Sequence, residues 1–214
     1  MLRVLFHVQH LLGIGHLQRA AAIAAAMQAQ GLAVTVVSGG EPVPGLDLGG
    51  AALEQLPPAV AADTAFSAVL DAAGRPVAEA WKAERRARLL SLFERLKPDV
   101  LLIELYPFGR RLFAFELAPL LAAAWRRPRR PAIAVSVRDI LVESTPAKAA
   151  AAVDIVRRQI DRVLVHGDPR LVPFDATFPA AAAIADRIAY TGYVVGGPAA
   201  APAGRAPAAA GNGE

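Results

Sequence analysis

Arg3-Val-Leu-Phe-His-Val-Gln-His-Leu-Leu-Gly-Ile-Gly-His16 opens as a strand and ends as the entry to a helix. Its first seven residues form a short apolar run of strand type. Leu17, Ala20, Ala21 and Ala24 follow at helical spacing, and Gly31 stands where a helix C′ glycine is expected. Ala33-Val-Thr-Val-Val-Ser38 is β-branched and ends at Gly39-Gly40, which predicts a second strand. A strand, a glycine loop, a helix and another strand in succession imply parallel pairing, because a crossover helix returns the chain to the same edge.

The alternation continues outward from this unit. Residues 51–56 form a weaker third strand, and residues 57–75, punctuated by Pro57-Pro58 and Gly74, read as a long irregular loop. Residues 76–96 predict a helix with Pro76 in its first turn and a stripe of Leu89, Leu92, Phe93 and Leu96, stopped by Lys97-Pro98. Asp99-Val-Leu-Leu-Ile-Glu104 is apolar on both faces, as a buried parallel strand is. A helix near residues 111–125 and a strand at Ile133–Val137 come next. Thr145-Pro146 supplies an N-cap and first helical residue for a helix to Gln159. Arg162–Val165 is a strand, Asp168-Pro169 predicts a helix start, and Arg187–Tyr190 closes the series. The expectation is a Rossmann-like, doubly wound α/β domain with a mainly parallel sheet over residues 1–195. Residues 196–214, rich in Gly, Pro and Ala, read as linker or disordered tail.

Composition bounds the chemistry. At 214 residues, 55% hydrophobic and 20% charged, the chain can bury one sizeable core or two small ones, which excludes general disorder. Zero cysteines exclude a disulfide framework, a thiolate metal centre and a cysteine nucleophile. No run of about 18 uninterrupted apolar residues occurs, and no signal-like opening is seen, so the expectation is a cytoplasmic chain. The net charge of +4 does not by itself point to nucleic acid, and none is expected as a partner. Arg126-Arg-Pro-Arg-Arg130 reads as a solvated helix end, with weak association at the inner membrane face as the alternative.

Ligands of doubly wound sheets bind beyond the carboxyl ends of the strands, and the unusual polar residues of this sequence collect there. Strand one leads to His10 and Gly13-Ile-Gly15-His16, and strand two to Ser38-Gly39-Gly40. Strand four leads to Glu104-Leu-Tyr106-Pro-Phe-Gly-Arg110-Arg111, strand five to Ser136-Val-Arg138-Asp139 and strand six to His166-Gly-Asp168. The glycine loop opens a helix whose amides favour an anion or polar oxygen, yet Gln18 stands where a dinucleotide fingerprint has its third glycine. His16 reads either as a base near neutrality or as a group bonded to its own helix. Glu104 reads as a functional carboxylate or as an ion pair with Arg110 or Arg111, and Arg138-Asp139 poses the same choice. Asp168 is expected to cap a helix with His166 packed beside it. His7 is expected in the core, and His10 beyond the strand end facing the crevice. No set of side chains has metal-ligand spacing.

Together these motifs resemble the first domain of GT-B glycosyltransferases. More narrowly, they resemble predicted bacterial glycosyltransferases related to the enzyme that adds N-acetylglucosamine to lipid I. The glycine-loop unit, Ser38-Gly-Gly, the Glu104–Arg111 segment, Ser136-Val-Arg-Asp-Ile-Leu141, Val165-His-Gly-Asp168 and Thr191-Gly-Tyr193 match in order, over residues 2–195. The resemblance implies the N-terminal, acceptor-binding half of a two-domain enzyme. The nucleotide-sugar donor is then a co-substrate gripped mainly by a C-terminal domain, and no other cofactor is needed. It places His16 to deprotonate an acceptor hydroxyl for inverting displacement, with Glu104 or Asp139 orienting the imidazole. His10, Gly13, Gly15, Ser38, Gly39, Tyr106, Arg110, Arg138, His166 and Asp168 would surround the acceptor. The glycine loop is shorter than the Gly-Gly-x-Gly-Gly-His form of the lipid I enzyme. Half of a sugar-nucleotide epimerase and a stand-alone binding module are the competing readings.

Overall fold

Alternation along β1 (Arg3–Val8) already splits the molecule into two layers. Val4, Phe6 and Val8 pack with Leu17, Ala20, Ala21 and Ala24 of α1 (Gly15–Ala29), while Leu5 joins a larger core on the opposite face. The computed structural model describes residues 1–64 and 68–195, so the tail expected from residue 196 lies outside the described residues. Beyond β1 come β2 (Ala33–Ser38), β3 (Ala52–Gln55), β4 (Val60–Ala61), β5 (Val69–Leu70), α2 (Glu79–Leu96) and β6 (Val100–Glu104). Then follow α3 (Ala114–Trp125), β7 (Ala132–Arg138), α4 (Pro146–Gln159), β8 (Arg162–His166) and β9 (Ile188–Tyr190). Seven strands form one sheet in the order β3-β2-β1-β6-β7-β8-β9, with every pair parallel. The larger core takes Leu89, Leu92 and Phe93 from α2, Leu117, Leu120 and Leu121 from α3, and Val156 from α4.

The strand order places a candidate crevice. From β1 the chain moves outward to β2 and β3, then returns to β6 on the other side of β1. The crossovers therefore reverse between β1 and β6, and a reversal of this kind leaves an open crevice at the strand ends. The glycine loop follows β1, and Glu104 ends β6, so both flank the reversal.

Three local expectations need correction. Pro76 is not in the first turn of a helix: it bridges Leu70 in extended form, and α2 starts at Glu79. The Asp71 carboxylate accepts from the amides of Ala73 and Arg75, and Gly74 takes a φ of +72°, which locks a tight turn and carries Pro76 into an extended ribbon. The stretch read as irregular thus contains β4 and β5, paired antiparallel. Asp168 starts no α-helix. Its carboxylate binds the Arg170 amide and guanidinium, and short 3-10 turns follow at Phe174–Ala176 and Pro179–Arg187. Phe174 and Phe178 fix those turns by edge-on packing against Phe108 at 5.5 and 5.0 Å. Thr145, by contrast, caps α4 as its sequence implies, accepting from the Lys148 amide.

A fully buried arginine ties the layers together. Arg85 on α2 donates to both carboxylate oxygens of Glu116 on α3 at 2.6 and 3.0 Å, and to the carbonyls of Gly39 and Pro57 at 2.8 and 2.6 Å. It also donates to the Gln9 side chain, so all five guanidinium hydrogens have acceptors. The His7 ring lies 3.4 Å from the same Glu116 carboxylate, buried as expected for a core histidine. Burial works to raise the Glu116 pKa, but the facing His7 and Arg85 outweigh it and hold the carboxyl below its ordinary value. Among the described residues, no helix is long and apolar enough to cross a membrane.

Candidate active site

Glu104 is 1% exposed at the end of β6, and His16 reaches it from the first turn of α1. His16 Nδ1 lies 2.7 Å from Glu104 Oε1, and Arg19 Nη2 donates to the same oxygen at 2.8 Å. Burial would raise the Glu104 pKa, but the hydrogen bond and charge of His16, with the charges of Arg110 and Arg19, hold it below the ordinary range. An ionised carboxylate only accepts, so Nδ1 carries the ring hydrogen and donates it to Oε1. In the neutral ring Nε2 is then the nitrogen with the free lone pair, on a ring that lines a cleft of about 810 Å³.

The backbone around Glu104 is held in a costly shape. Leu105 follows it with a φ of 67°, a conformation that costs a bulky residue about 1–3 kcal/mol. The Leu105 amide is fixed to the Ser136 carbonyl at 2.9 Å, and its own carbonyl accepts from Gly109 at 2.9 Å. A side chain on Gly109 would strike Leu105 at 2.7 Å. A substitution at Gly109 would therefore require the Leu105 side chain to shift.

The structure brings together some expected residues and separates others. His16 meets Glu104 and not Asp139, whose carboxylate instead accepts from the Ile140 amide at 2.9 Å. Glu104 pairs with Arg19, not with Arg110 or Arg111. Arg110, at a φ of 56°, swings to the Gln9 carbonyl at 2.7 Å, and Arg111 turns to the Phe108 carbonyl at 3.3 Å. Arg138 and Asp139 form no ion pair, because Arg138 is exposed on the cleft while Asp139 is buried. Gly13, Gly15, Arg110 and Arg138 all line the cleft.

His10, Ser38 and Tyr106 are 5%, 2% and 3% exposed. The His10 ring packs on Gly40, and burial, the largest influence on it, lowers its pKa. Tyr106 belongs to the core. Gly39 has its amide on the Val8 carbonyl and its own carbonyl on Arg85, and a side chain there would collide with Gln9 and Arg85. Asp168 is committed to Arg170, whose hydrogen bonds bring its pKa to about 2.

Arg19 was not singled out by the sequence reading, although three residues after His16 on one helix puts it on the same face. The Arg85–Glu116 pair gave no signal, since a charge inside an amphipathic pattern reads as solvated.

His166 anchors a second network. Its Nε2 lies 2.7 Å from Ser136 Oγ, and its Nδ1 lies 2.7 Å from Thr191 Oγ1. Thr191 Oγ1 itself donates to the Val165 or Gly192 carbonyl, so Nδ1–H donates to Thr191 and Ser136 donates to Nε2. Burial first, then the charge of Arg19, pushes the His166 pKa down to about 4. As pH falls from the ordinary histidine value of 6.5 toward about 4, the unfolded chain gains a proton that the folded chain resists. Stability is therefore full above that range and declines across it. Urea midpoints compared between about pH 7 and pH 5 are expected to fall, and the fall to shrink in His166→Gln. His10, also lowered, contributes to the part that remains, together with carboxylates such as Glu104 and Glu116 that are held below their ordinary range.

Solved structures with this fold include two glycosyltransferases. The chain superposes on the Streptomyces sp. SF2575 glycosyltransferase SsfS6 with a TM-score of 0.51 at 17% identity, covering 81% of this chain and 53% of that one. For a glycosyltransferase from Rickettsia africae ESF-5 the TM-score is 0.55 at 12% identity, covering 88% of this chain and 42% of that one. The fold is Rossmann-like α/β. At these identities the likeness establishes fold alone. The chain spans about half the length of the structures it matches. No family model and no curated sequence matches it.

Proposed function

We propose that this chain is the acceptor-side, N-terminal domain of a GT-B glycosyltransferase, with His16 as the base. The observation that carries the reading is the His16–Glu104 pair at the crossover reversal, which leaves Nε2 basic beside the cleft. Nε2 takes the proton of an acceptor hydroxyl as its oxygen attacks the anomeric carbon of a nucleotide sugar. The bond from that carbon to the diphosphate oxygen breaks, the nucleoside diphosphate departs with the electron pair, and the anomeric centre inverts. Glu104 stays ionised throughout, orienting the ring and stabilising the imidazolium as it forms.

The donor is gripped by a second domain in this reading. Titration calorimetry of residues 1–214 with uridine and thymidine diphosphate sugars is therefore expected to show negligible heat. Tight binding by this chain alone would overturn the domain assignment. In a protein containing both halves, proton NMR of the product is expected to show the inverted anomer. A free, epimerised nucleotide sugar as product would instead identify an epimerase.

A further inference from the structure

The cleft is lined by more cations than carboxylates. Across the rest of the molecule arginine is commonly paired: Arg3, Arg19, Arg75, Arg85, Arg95, Arg127, Arg130, Arg158, Arg170 and Arg187 all face a carboxylate. Arg110, Arg111, Arg138 and Lys148 line the cleft together, and among the described residues none of them forms an ion pair. Glu143 is the one carboxylate of the lining, and Glu104 behind it is already matched by His16 and Arg19. Arg110 is drawn into the wall by its bond to the Gln9 carbonyl; burial is the main influence lowering its pKa, the Glu104 charge opposes it, and Arg19 and Arg138 add to the lowering. Four cations lining one cleft against a single lining carboxylate favour an anion there.

The rest of the lining is apolar. Phe108, Leu112 and Val142 stand among the cations, and Leu112 and Val142 are 47% and 80% exposed. Exposed aliphatic side chains on a concave wall favour a ligand with an apolar body. A volume of about 810 Å³ suits a compact small molecule.

We propose that the cleft binds a compact apolar molecule bearing one anionic group, a carboxylate or a phosphate monoester, held by Arg111, Arg138 and Lys148 with Arg110 behind them. Calling that molecule the acceptor rests on the glycosyltransferase reading; its charge and shape do not. The anionic head sits at the cations, the body lies along Phe108 and Leu112, and the hydroxyl to be modified faces His16.

Calorimetric titration of residues 1–214 with octyl phosphate, octanoate and 1-octanol, each below its micelle or solubility limit, tests this. Both anions are expected to bind about tenfold or more tightly than the alcohol, and the difference is expected to narrow as salt is raised. Arg111→Ala and Arg138→Ala, both at exposed positions, are expected to remove most of the preference while leaving the alcohol's weak affinity unchanged. Lys148→Glu serves as a third variant should either fail to fold. Equal affinity for anions and alcohol, or a preference untouched by these variants, would overturn the proposal. Vesicles of phosphatidylglycerol form a separate arm. If they retain the chain while octyl phosphate does not bind, the cations read a bilayer surface and the proposal fails. If both bind, it stands and the anion's source is a lipid. Anion selectivity without His16-dependent transfer would sink the transferase reading alone, and transfer without selectivity would sink this one alone.

Discussion

Arg85→Ala is expected to lower the unfolding free energy by about 3–5 kcal/mol, a large share of the marginal stability of a domain this size. The guanidinium is wholly buried and satisfies Glu116, the Gly39 and Pro57 carbonyls and Gln9 at once. Truncation removes the guanidinium that matches the Glu116 carboxylate at 0% exposure and leaves the His7 ring 3.4 Å away as its neighbour. It also removes the flat group between Trp81 and Phe113, whose rings lie 5.3 and 5.1 Å from the guanidinium carbon. Arg85→Lys is expected to recover little, because an ammonium cannot present the planar fork that reaches five acceptors. The double variant Arg85→Met with Glu116→Leu separates the causes. It removes both charges and is expected to recover part of the loss, but not the partners that the Pro57 carbonyl and the Gln9 side-chain oxygen lose. Urea unfolding of the three variants is the measurement. A loss below about 1 kcal/mol in Arg85→Ala would show that water reaches this centre.

His16→Ala is expected to reduce sugar transfer by roughly 100-fold or more in a protein containing both halves, with folding unchanged. The side chain is a quarter exposed and contributes one hydrogen bond, so its removal costs stability little compared with Arg85. The chemical loss is expected to be larger because no other imidazole among the described residues lines the cleft beside Glu104. Glu104→Gln keeps the shape but removes the charge that fixes the ring tautomer. It is expected to depress turnover with little change in acceptor KM. Arg19→Ala is expected to leave the His16–Glu104 bond in place and to cost less. Rates, with KM and kcat measured separately, check the series. An unchanged rate in His16→Ala would remove the base from the mechanism.

Much of the framework was legible because it rests on local rules. Among the described residues, periods of two and 3.6, β-branched runs and a Thr-Pro cap marked the seven strands of the main sheet and all four α-helices, with boundaries shifted by a few residues. The failures share a cause. Pro76 and Asp168 carry helix-start signals, but the carboxylates of Asp71 and Asp168 accept from the nearby amides of Arg75 and Arg170 and hold the backbone in turns instead. The site divides in the same way. Glycines, His16 and Glu104 were readable because strand ends are where such residues serve a purpose. The choice of Glu104 over Asp139 was not readable, since they stand 35 positions apart and only strand order decides which one faces β1.

By itself, then, the sequence determined the alternation of parallel strands and helices, the absence of thiol chemistry and the set of polar residues at strand ends. Those follow from composition and short-range spacing, which act along the chain. Tertiary structure alone decided that Arg19 shares Glu104 with His16, that Gly39 and Tyr106 serve the core, and that Arg110, Arg111, Arg138 and Lys148 converge unpaired on one cleft. Pairing of charges depends on distances across the sheet, and burial decides whether each charge needs a partner. Neither quantity is written in the spacing of residues along one strand.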